Sequence, residues 1–348
     1  MKKLISKLHI RKKLPPPTRI TSETIEQHRE HILAGGRKFK YPLQYARHKL
    51  IINTIIISVV AIIAALGIGW WQLYPAQNTS EFMYRVTKVL PVPVANVDGQ
   101  PVLYSDYLMK YLSSVHYLTQ IEKVNIKTDD GKRQIEYIKQ QSMQDAVADA
   151  YALKLANSMN VSVSESELDA FIKQDRQSVN GEVSEQTYYA VILDYYNWSP
   201  AEYRQVKKSK LLRQKVSYAM DKNSNAILKN INDALKKDPA IDLKALATSI
   251  SSQTGTKVNY GTSGWVPKTN QDGGLAIAAA KLKKSELSSV IKSTIGDGYY
   301  VIRLLDTNDD RVSYDYIQVP LTAFTNSLNS VIVKGKVQKY ISIPDVAK

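Results

Sequence analysis

From Ile51 to Leu73 the sequence reads IINTIIISVVAIIAALGIGWWQL, and the wider stretch Leu50–Ser80 contains no charged residue. About 20 consecutive apolar residues are enough for a helix to cross the hydrocarbon core of a bilayer. Trp70 and Trp71 lie at the far end of the stretch, where amphipathic rings favour the membrane interface. The sequence therefore predicts a single transmembrane helix, which we place at residues 50–74.

Basic residues are concentrated before this segment. Residues 1–50 carry 13 Lys and Arg against three Glu, whereas the rest of the chain carries 34 basic and 29 acidic residues. Lys and Arg are enriched on the cytoplasmic side of membrane helices. Residues 1–49 are therefore predicted to form a basic cytoplasmic tail, with the C-terminal domains extracytoplasmic. The apolar core is too long, and too far from the N-terminus, for a cleaved signal peptide. We interpret it as a signal anchor that keeps the chain in the cell membrane.

Composition excludes several classes of protein. The formal net charge of +15 is carried mainly by the tail, so the nearly balanced body is not expected to bind nucleic acid. The chain contains no cysteine, which excludes disulfides, thiolate metal sites and cysteine nucleophiles. His116 is the only histidine after the apolar segment, so a Ser–His hydrolase site in the C-terminal region is excluded as well.

Acidic pairs do not indicate a metal site. Asp129-Asp130 and Asp309-Asp310 fit solvated turns better than ligand sets, and Asp272-Gly273-Gly274 lacks the lysine of a phosphate-binding loop. We therefore expect neither a metal nor a cofactor.

The region beyond the membrane divides into three parts. Residues 75–93 are predicted to be a stalk and residues 94–220 a mostly helical domain. Capping boxes at Ser164–Glu167 and Ser199–Glu202 mark two helix starts in that domain. Residues 221–348 form the third part, in which helical and strand-like patterns alternate.

Strand and helix signals in the third part predict a small α+β domain. Tyr299–Leu305 reads as a buried strand, Val312–Val319 alternates as a strand, and Ala323–Tyr340 reads as a last helix.

Three segments of the helical region resemble the chaperone domain of the SurA-like and PrsA-like extracytoplasmic foldases: Val94–Gly99, Val161–Leu168 and Trp198–Arg204. The later Gly261–Trp265 turn and Gly298–Ile302 strand resemble the parvulin-type (PpiC) prolyl isomerase domain that these foldases carry.

The resemblance covers residues 94–341 and implies an α+β architecture. A transmembrane helix is followed by a helical SurA-N-like domain and a parvulin-like domain with a C-terminal strand and helix. Whether that strand replaces a missing first strand of the parvulin sheet stays open.

The resemblance also implies positions for catalytic residues, and there the chain departs from the family. Parvulin sites usually combine two histidines, an acidic or cysteine residue and an apolar Met/Phe pocket. The degenerate positions of this chain hold Ser251, Gln271, Leu275, Tyr300 and Tyr316. Two alternatives stay open: a domain that has lost peptidyl-prolyl cis-trans isomerase activity, or a site rebuilt around the two tyrosine hydroxyls.

Tyrosine is unusually abundant, with 22 Tyr against four Phe. Tyr combines apolar area with a polar tip, which suits adaptable contact surfaces. Our candidates for binding polypeptide are Tyr188, Tyr189, Tyr195, Tyr196, Trp198 and Trp265. The alternatives are that these rings pack the core of the helical domain or contact glycans.

Together these patterns predict a membrane-anchored extracytoplasmic chaperone or foldase. Its partners would be unfolded or newly secreted polypeptides, and its oligomeric state is left open. The alternative is a non-catalytic cell-envelope scaffold or adhesion and interaction protein, whose tail recruits a cytoplasmic partner.

Overall fold

The structure is a computed structural model that describes residues 21–40, 42–178 and 181–343. The chain separates into two compact units, Met1–Gln72 and Leu73–Lys348. Residues 1–20 of the predicted tail lie outside the described residues.

The described part of the first unit is helical. Helix α1 covers Ser22–Lys40 and helix α2 covers Pro42–Leu73. Within the described residues, His48–Leu73 is the one helical stretch long and apolar enough to cross a membrane. Its 26 residues exceed the roughly 20 that a bilayer core requires.

The second unit begins with a mainly helical part. Its elements are α3 (Glu81–Val89), β1 (Pro93–Val97), β2 (Gln100–Leu103), α4 (Tyr104–His116), a π-helix (Tyr117–Ile121), α5 (Asp129–Met159), α6 (Glu165–Asp175), β3 (Gln177–Ser178), β4 (Gly181–Glu182), α7 (Glu185–Tyr196) and α8 (Pro200–Met220).

Helices and strands alternate in the rest of the unit. The elements are α9 (Lys222–Lys237), α10 (Leu243–Thr254), β5 (Asn259–Thr262), β6 (Val266–Pro267), α11 (Leu275–Ala279), β7 (Ile291–Lys292), β8 (Gly298–Thr307), β9 (Arg311–Pro320), α12 (Ala323–Val333) and β10 (Val337–Lys339). The predicted α+β class is confirmed.

Local capping chemistry explains where several helices begin. Ser164 and Glu167 form a reciprocal capping box at α6, and Ser199 and Glu202 form another at α8. Each box satisfies backbone N–H groups that a helix start otherwise leaves unpaired. Both starts agree with the prediction.

The C-terminal part of the unit is built on an antiparallel sheet with strand order β5-β9-β8-β7, and β6 also pairs with β9. Strand β9 thus takes an inner place between β5 and β8. Its period-two alternation directs Ile317 and Val319 toward α9 and α10, and Tyr314 and Tyr316 toward α11.

The end of the chain returns to the helical part. Phe324, Val331 and Ile341 belong to the same buried core as Val94 and Tyr104. Strand β10 pairs antiparallel with β1, which places strand β1 between β2 and β10. This packing differs from the prediction, which assigned residues 323–341 to the C-terminal domain.

The predicted last helix, Ala323–Tyr340, is also too long. Helix α12 ends at Val333, and Gly335 follows in the left-handed region with φ +68°. Glycine adopts that conformation without the steric cost that other residues incur. The chain can therefore turn there and continue as β10.

The predicted stalk contains regular structure as well. Within residues 75–93, Ser80 caps α3, and Met83 and Thr87 of that helix are buried. Pro93 already begins β1. These residues are therefore folded against the helical part and do not form an extended linker.

One buried carboxylate contacts both places where the chain crosses between the helical part and the sheet. Asp221 Oδ1 accepts hydrogen bonds from the backbone N–H (3.2 Å) and the hydroxyl (2.9 Å) of Ser224, at the start of α9. Its Oδ2 accepts from the N–H groups of Thr322 (2.8 Å) and Ala323 (3.4 Å), at the start of α12. A single side chain therefore satisfies two helix starts.

We expect Asp221→Ala to lower the free energy of unfolding by about 2–4 kcal/mol, because it removes a cap and leaves buried N–H donors unpaired. The matched control is Asp242→Ala, which removes the exposed cap of α10 and should cost about 1 kcal/mol. Urea unfolding of the full-length protein in detergent measures both, and equal losses would contradict the double role.

Candidate functional site

Three of the five degenerate catalytic positions lie together on the α11 side of the sheet. Tyr300 and Tyr316 have ring centroids 5.6 Å apart, and Leu275 belongs to the same buried cluster. Tyr314 lies 6.3 Å from Tyr316 and completes what we call the tyrosine cluster (Tyr300, Tyr314 and Tyr316).

Two hydroxyls of the tyrosine cluster are held by carboxylates. Tyr300 donates to Asp297 Oδ2 and Tyr314 donates to Asp272 Oδ2, each at 2.6 Å. Burial, reinforced by these carboxylates, raises the pKa of both tyrosines well above the ordinary value of 10. Both groups are therefore neutral donors whose protons are already engaged.

The third ring occupies the space beside β5. A Cβ atom added at Gly261 would collide with the hydroxyl end of Tyr316. Glycine at this position is thus what allows the ring to lie against the strand. The space between the tyrosine cluster and β5 is therefore occupied by the ring of Tyr316.

The remaining two degenerate positions lie elsewhere. Ser251 donates to the carbonyl of Ala247 (2.7 Å) and accepts from the N–H of Val258 (2.9 Å), on α10 at the opposite face of the sheet. Gln271 donates to the carbonyl of Gln177, 3.1 Å away. The structure does not bring either side chain to the tyrosine cluster.

Sequence reasoning did not identify Tyr314, Asp272 or Asp297. The signal for Tyr314 was available, because it is two residues from Tyr316 on a predicted strand and so shares its face. Asp272 gave no such signal, because it lies 42 residues from Tyr314, whereas Asp297 lies only three residues before Tyr300.

The polypeptide-binding candidates fall into separate groups. Tyr188 and Tyr189 pack their rings against Tyr203 of α8, at 5.7 and 5.9 Å. The hydroxyls of Tyr188 and Tyr203 are 2.9 Å apart, and Tyr203 donates to Asp175. This pair therefore packs the core between α6, α7 and α8.

The other three helical-domain candidates form a ring stack at the surface. Tyr117 stacks on Tyr196 at 6.2 Å, and Tyr196 stacks on Trp198 at 4.9 Å. Tyr195 lies beside them, 39% exposed, and its ring is 6.2 Å from that of Tyr117. Tyr117 opens the π-helix, a deviation that is frequent at functional sites.

His116 precedes Tyr117 of the stack and forms a hydrogen bond to α7. Its Nε2 lies 2.8 Å from the carbonyl oxygen of Asp194, near the end of α7. Because a carbonyl only accepts hydrogen bonds, Nε2 carries the proton in this arrangement. The contact joins the end of α7, which carries Tyr196, to the end of α4, which Tyr117 follows.

The stack borders a groove of about 430 Å³ between α3, α4, α7 and α8. We call it the aromatic groove; its apolar and aromatic lining comprises Tyr84, Met109, Leu112, Leu193, Tyr196 and Trp198. The indole N–H of Trp198 is buried and has no hydrogen-bond partner among the described residues. Leu193 is 52% exposed, so apolar surface is accessible at the rim.

Charges at the aromatic groove are balanced and held in place. Glu202 Oε1 accepts from the hydroxyl of Tyr84 (2.6 Å) and from Lys88 Nζ (3.1 Å), while Oε2 accepts from Ser199. Burial alone would raise the pKa of Glu202, but hydrogen bonds from these groups lower it to about 2. Glu202 is therefore a fixed anion at neutral pH.

Trp265 is the exception among the candidates. It follows Gly264, whose φ is +62°, in the turn between β5 and β6, and it is 46% exposed. It belongs to the sheet part of the chain and does not line the aromatic groove.

Acidic and histidine side chains do not gather into a metal site in the described ranges, where no group of three or more could hold an ion.

Two family models match the chain. One, described as the SurA-like N-terminal domain, matches residues 43–217, which is half of the chain. The other, described as the PPIC-type PPIASE domain, matches residues 210–306. No curated protein matches. The second match ends within β8, so β9, which carries Tyr314 and Tyr316, lies beyond it.

The low pKa of Glu202 predicts a pH dependence. Its folded-state pKa of about 2 lies below the ordinary 4.5, so its contribution to stability is present above about pH 5 and is lost as the pH falls toward 2. The difference in unfolding free energy between wild type and Glu202→Gln should therefore shrink over that range. Denaturant unfolding at several pH values measures it.

Glu136→Gln, which changes an exposed residue of α5, is the control and should lower the unfolding free energy far less than Glu202→Gln at pH 6. A difference for Glu202→Gln that stays constant from pH 6 to pH 2 would contradict the assignment.

Proposed function

Since the chain belongs to the SurA-like N-terminal domain family of chaperones and foldases, we propose that it binds unfolded, newly secreted polypeptides outside the cytoplasm while anchored in the membrane. The observation that carries the proposal is the aromatic groove. It is a concave surface of rings and aliphatic side chains in the domain that the family match covers.

The chemistry of the aromatic groove suits an unfolded client. Unfolded chains expose apolar side chains together with unpaired peptide groups. The rings of Tyr196 and Trp198 offer apolar area with little rotamer entropy to lose, and aromatic pairs contribute about 0.5–1.5 kcal/mol beyond that area. The charges of Lys88 and Glu202 are already paired, so they do not select clients by charge.

For the C-terminal domain we propose a non-catalytic role. The tyrosine hydroxyls of Tyr300 and Tyr314 are engaged by carboxylates, and Tyr316 fills the space beside Gly261. Prolyl isomerisation requires a pocket that accepts and twists a peptide bond against a barrier of about 20 kcal/mol. A packed tyrosine cluster supports a structural or peptide-binding domain more than a rebuilt active site.

The buried core that joins Phe324 and Val331 to Val94 and Tyr104 supports a revised domain division. The proposed tail covers residues 1–49 and the proposed anchor residues 50–74. Residues 75–220 and 321–343 would form the helical domain, because buried side chains from both stretches share one core. Residues 221–320 would form the sheet domain.

Refolding of a proline-limited client tests both proposals. Full-length protein in detergent is titrated from trace to stoichiometric amounts. We expect no acceleration at trace amounts and slower refolding as the ratio approaches one, because a binder without catalysis withholds the client. Acceleration at trace amounts would contradict the non-catalytic assignment. No effect at any ratio would favour the scaffold alternative.

Variants of the aromatic groove sharpen the same experiment. Tyr196→Ala and Leu193→Asp should each weaken client binding roughly tenfold, equivalent to about 1.4 kcal/mol. Tyr137→Ala, which removes a 52% exposed tyrosine from α5, is the matched control and should bind like wild type. Equal losses in all three variants would assign the effect to non-specific apolar contact.

The proposed topology is tested by labelling, because the chain has no cysteine of its own. In intact cells, an impermeant thiol reagent should modify Ser252→Cys on the exposed surface of α10. It should modify Thr18→Cys only after lysis. Labelling of Thr18→Cys in intact cells would reverse the orientation.

A further inference from the structure

A second cleft lies where the sheet meets the helices. It has a volume of about 370 Å³ and is bordered by α6, α8 and the segment that follows β7. We call it the interdomain cleft; its lining includes Ala170, Phe171, Leu211, Lys215 and Lys292. Ligand pockets favour such junctions and begin at about 300 Å³.

The junction itself is polar. Gln174 donates to the hydroxyl of Thr294 (2.7 Å), Gln214 to the carbonyl of Ile295 (2.8 Å), and Tyr218 to the carbonyl of Ser293 (2.8 Å). Polar interfaces of this kind resemble transient ones and allow adjacent domains to move. A peptide that binds at the cleft would therefore not have to separate a closely packed apolar interface.

The floor of the interdomain cleft is apolar. Ala170 and Phe171 line it from α6, and Leu211 lines it from α8. Its volume is sufficient for one or two bulky side chains. An apolar side chain placed there would lose its contact with water, which favours binding by about 25 cal/mol for each Å² buried.

Charge at the cleft favours an acidic neighbour. Lys215 is paired with Glu167, whereas Lys292 forms no ion pair within the described residues. The Lys292 ammonium lies over the ring of Tyr218, 4.3 Å from its centroid. The cleft therefore presents one uncompensated cation beside an apolar floor.

The cleft also borders the edge of the sheet. Lys292 belongs to β7, which pairs with β8 on one side and is the last strand in the order β5-β9-β8-β7. Strand edges carry backbone groups that an extended chain can pair with. An extended segment is thus the conformation that fits beside it.

From these features we propose that the interdomain cleft is a second polypeptide subsite, which takes an extended segment with a bulky apolar side chain next to Asp or Glu. This inference rests on the proposed function, because the guest is part of the same unfolded client. It differs from the aromatic groove in its preference for negative charge.

The test uses labelled eight-residue probe peptides and the full-length protein in detergent. The acidic probe is Gly-Ser-Glu-Phe-Glu-Leu-Ser-Gly, and in the basic probe Lys replaces both Glu. Wild type should bind the acidic probe more tightly by roughly three- to tenfold, and added salt should reduce this preference. Equal binding of the two probes would overturn the proposal.

Charge reversal keeps the test independent of folding defects. Lys292→Glu should weaken binding of the acidic probe and strengthen binding of the basic probe. An unfolded variant would not gain binding of the basic probe in this way. Lys257→Glu, at an exposed lysine outside the cleft, is the matched control and should leave the preference unchanged. An unchanged preference in Lys292→Glu would exclude Lys292 as the recognising group and overturn the proposal.

Failure here is distinguishable from failure of the proposed function. Tyr196→Ala should keep the wild-type preference for the acidic over the basic probe while losing client in the refolding titration. If wild type slows client refolding but does not distinguish the probes, the second subsite is wrong and the proposed function stands. If it neither slows refolding nor binds either probe, both are wrong.

Discussion

The carboxylate of Asp221 is the interaction on which the arrangement of the second unit depends. The chain leaves the helical part at the end of α8 and returns to it at the start of α12, and one buried side chain accepts hydrogen bonds from both places. One side chain therefore fixes both passages between the helices and the sheet. Hydrogen bonds from Gln174, Gln214 and Tyr218 to the segment that follows β7 form a second attachment.

Tyr300 and Tyr316 occupy the two sheet positions at which the resemblance to parvulin domains predicts histidine. A phenol donates readily to a carboxylate and stays neutral, so the Tyr300–Asp297 and Tyr314–Asp272 pairs stabilise packing and leave neither hydroxyl proton free. The α11 side of the sheet is thus filled by the side chains of its own buried cluster.

Local chemistry was predictable from the sequence, and long-range packing was not. The starts of α6 and α8 followed from Ser164 and Ser199, because a capping box involves only neighbouring residues. Tyr188–Tyr189 and Tyr195–Tyr196 are seven residues apart and share a helix face, so periodicity cannot separate them. What separates them is their neighbours. Tyr203 covers the first pair, whereas Tyr117 meets the second at the surface.

The end of α12 shows the same limit. Gly335 permitted a turn, but only the open edge of β1, far earlier in the chain, explains why Val337–Lys339 becomes a strand. The tyrosine cluster was predictable in part, because the resemblance to parvulin domains aligned Tyr300 and Tyr316 with site positions. The Asp272–Tyr314 contact spans 42 residues and depends on the packing of the sheet, whereas Asp297 lies only three residues before Tyr300.

The return of the chain also sets an order of events during synthesis. Strand β1 is synthesised before the sheet domain, whereas its partner β10 is synthesised only after it. Domains usually fold as units in the order in which they are made. Here the core that contains β1 cannot close until α12 and β10 have been made. A protein proposed to hold unfinished chains therefore leaves one edge of β1 unpaired while its own sheet domain is being synthesised.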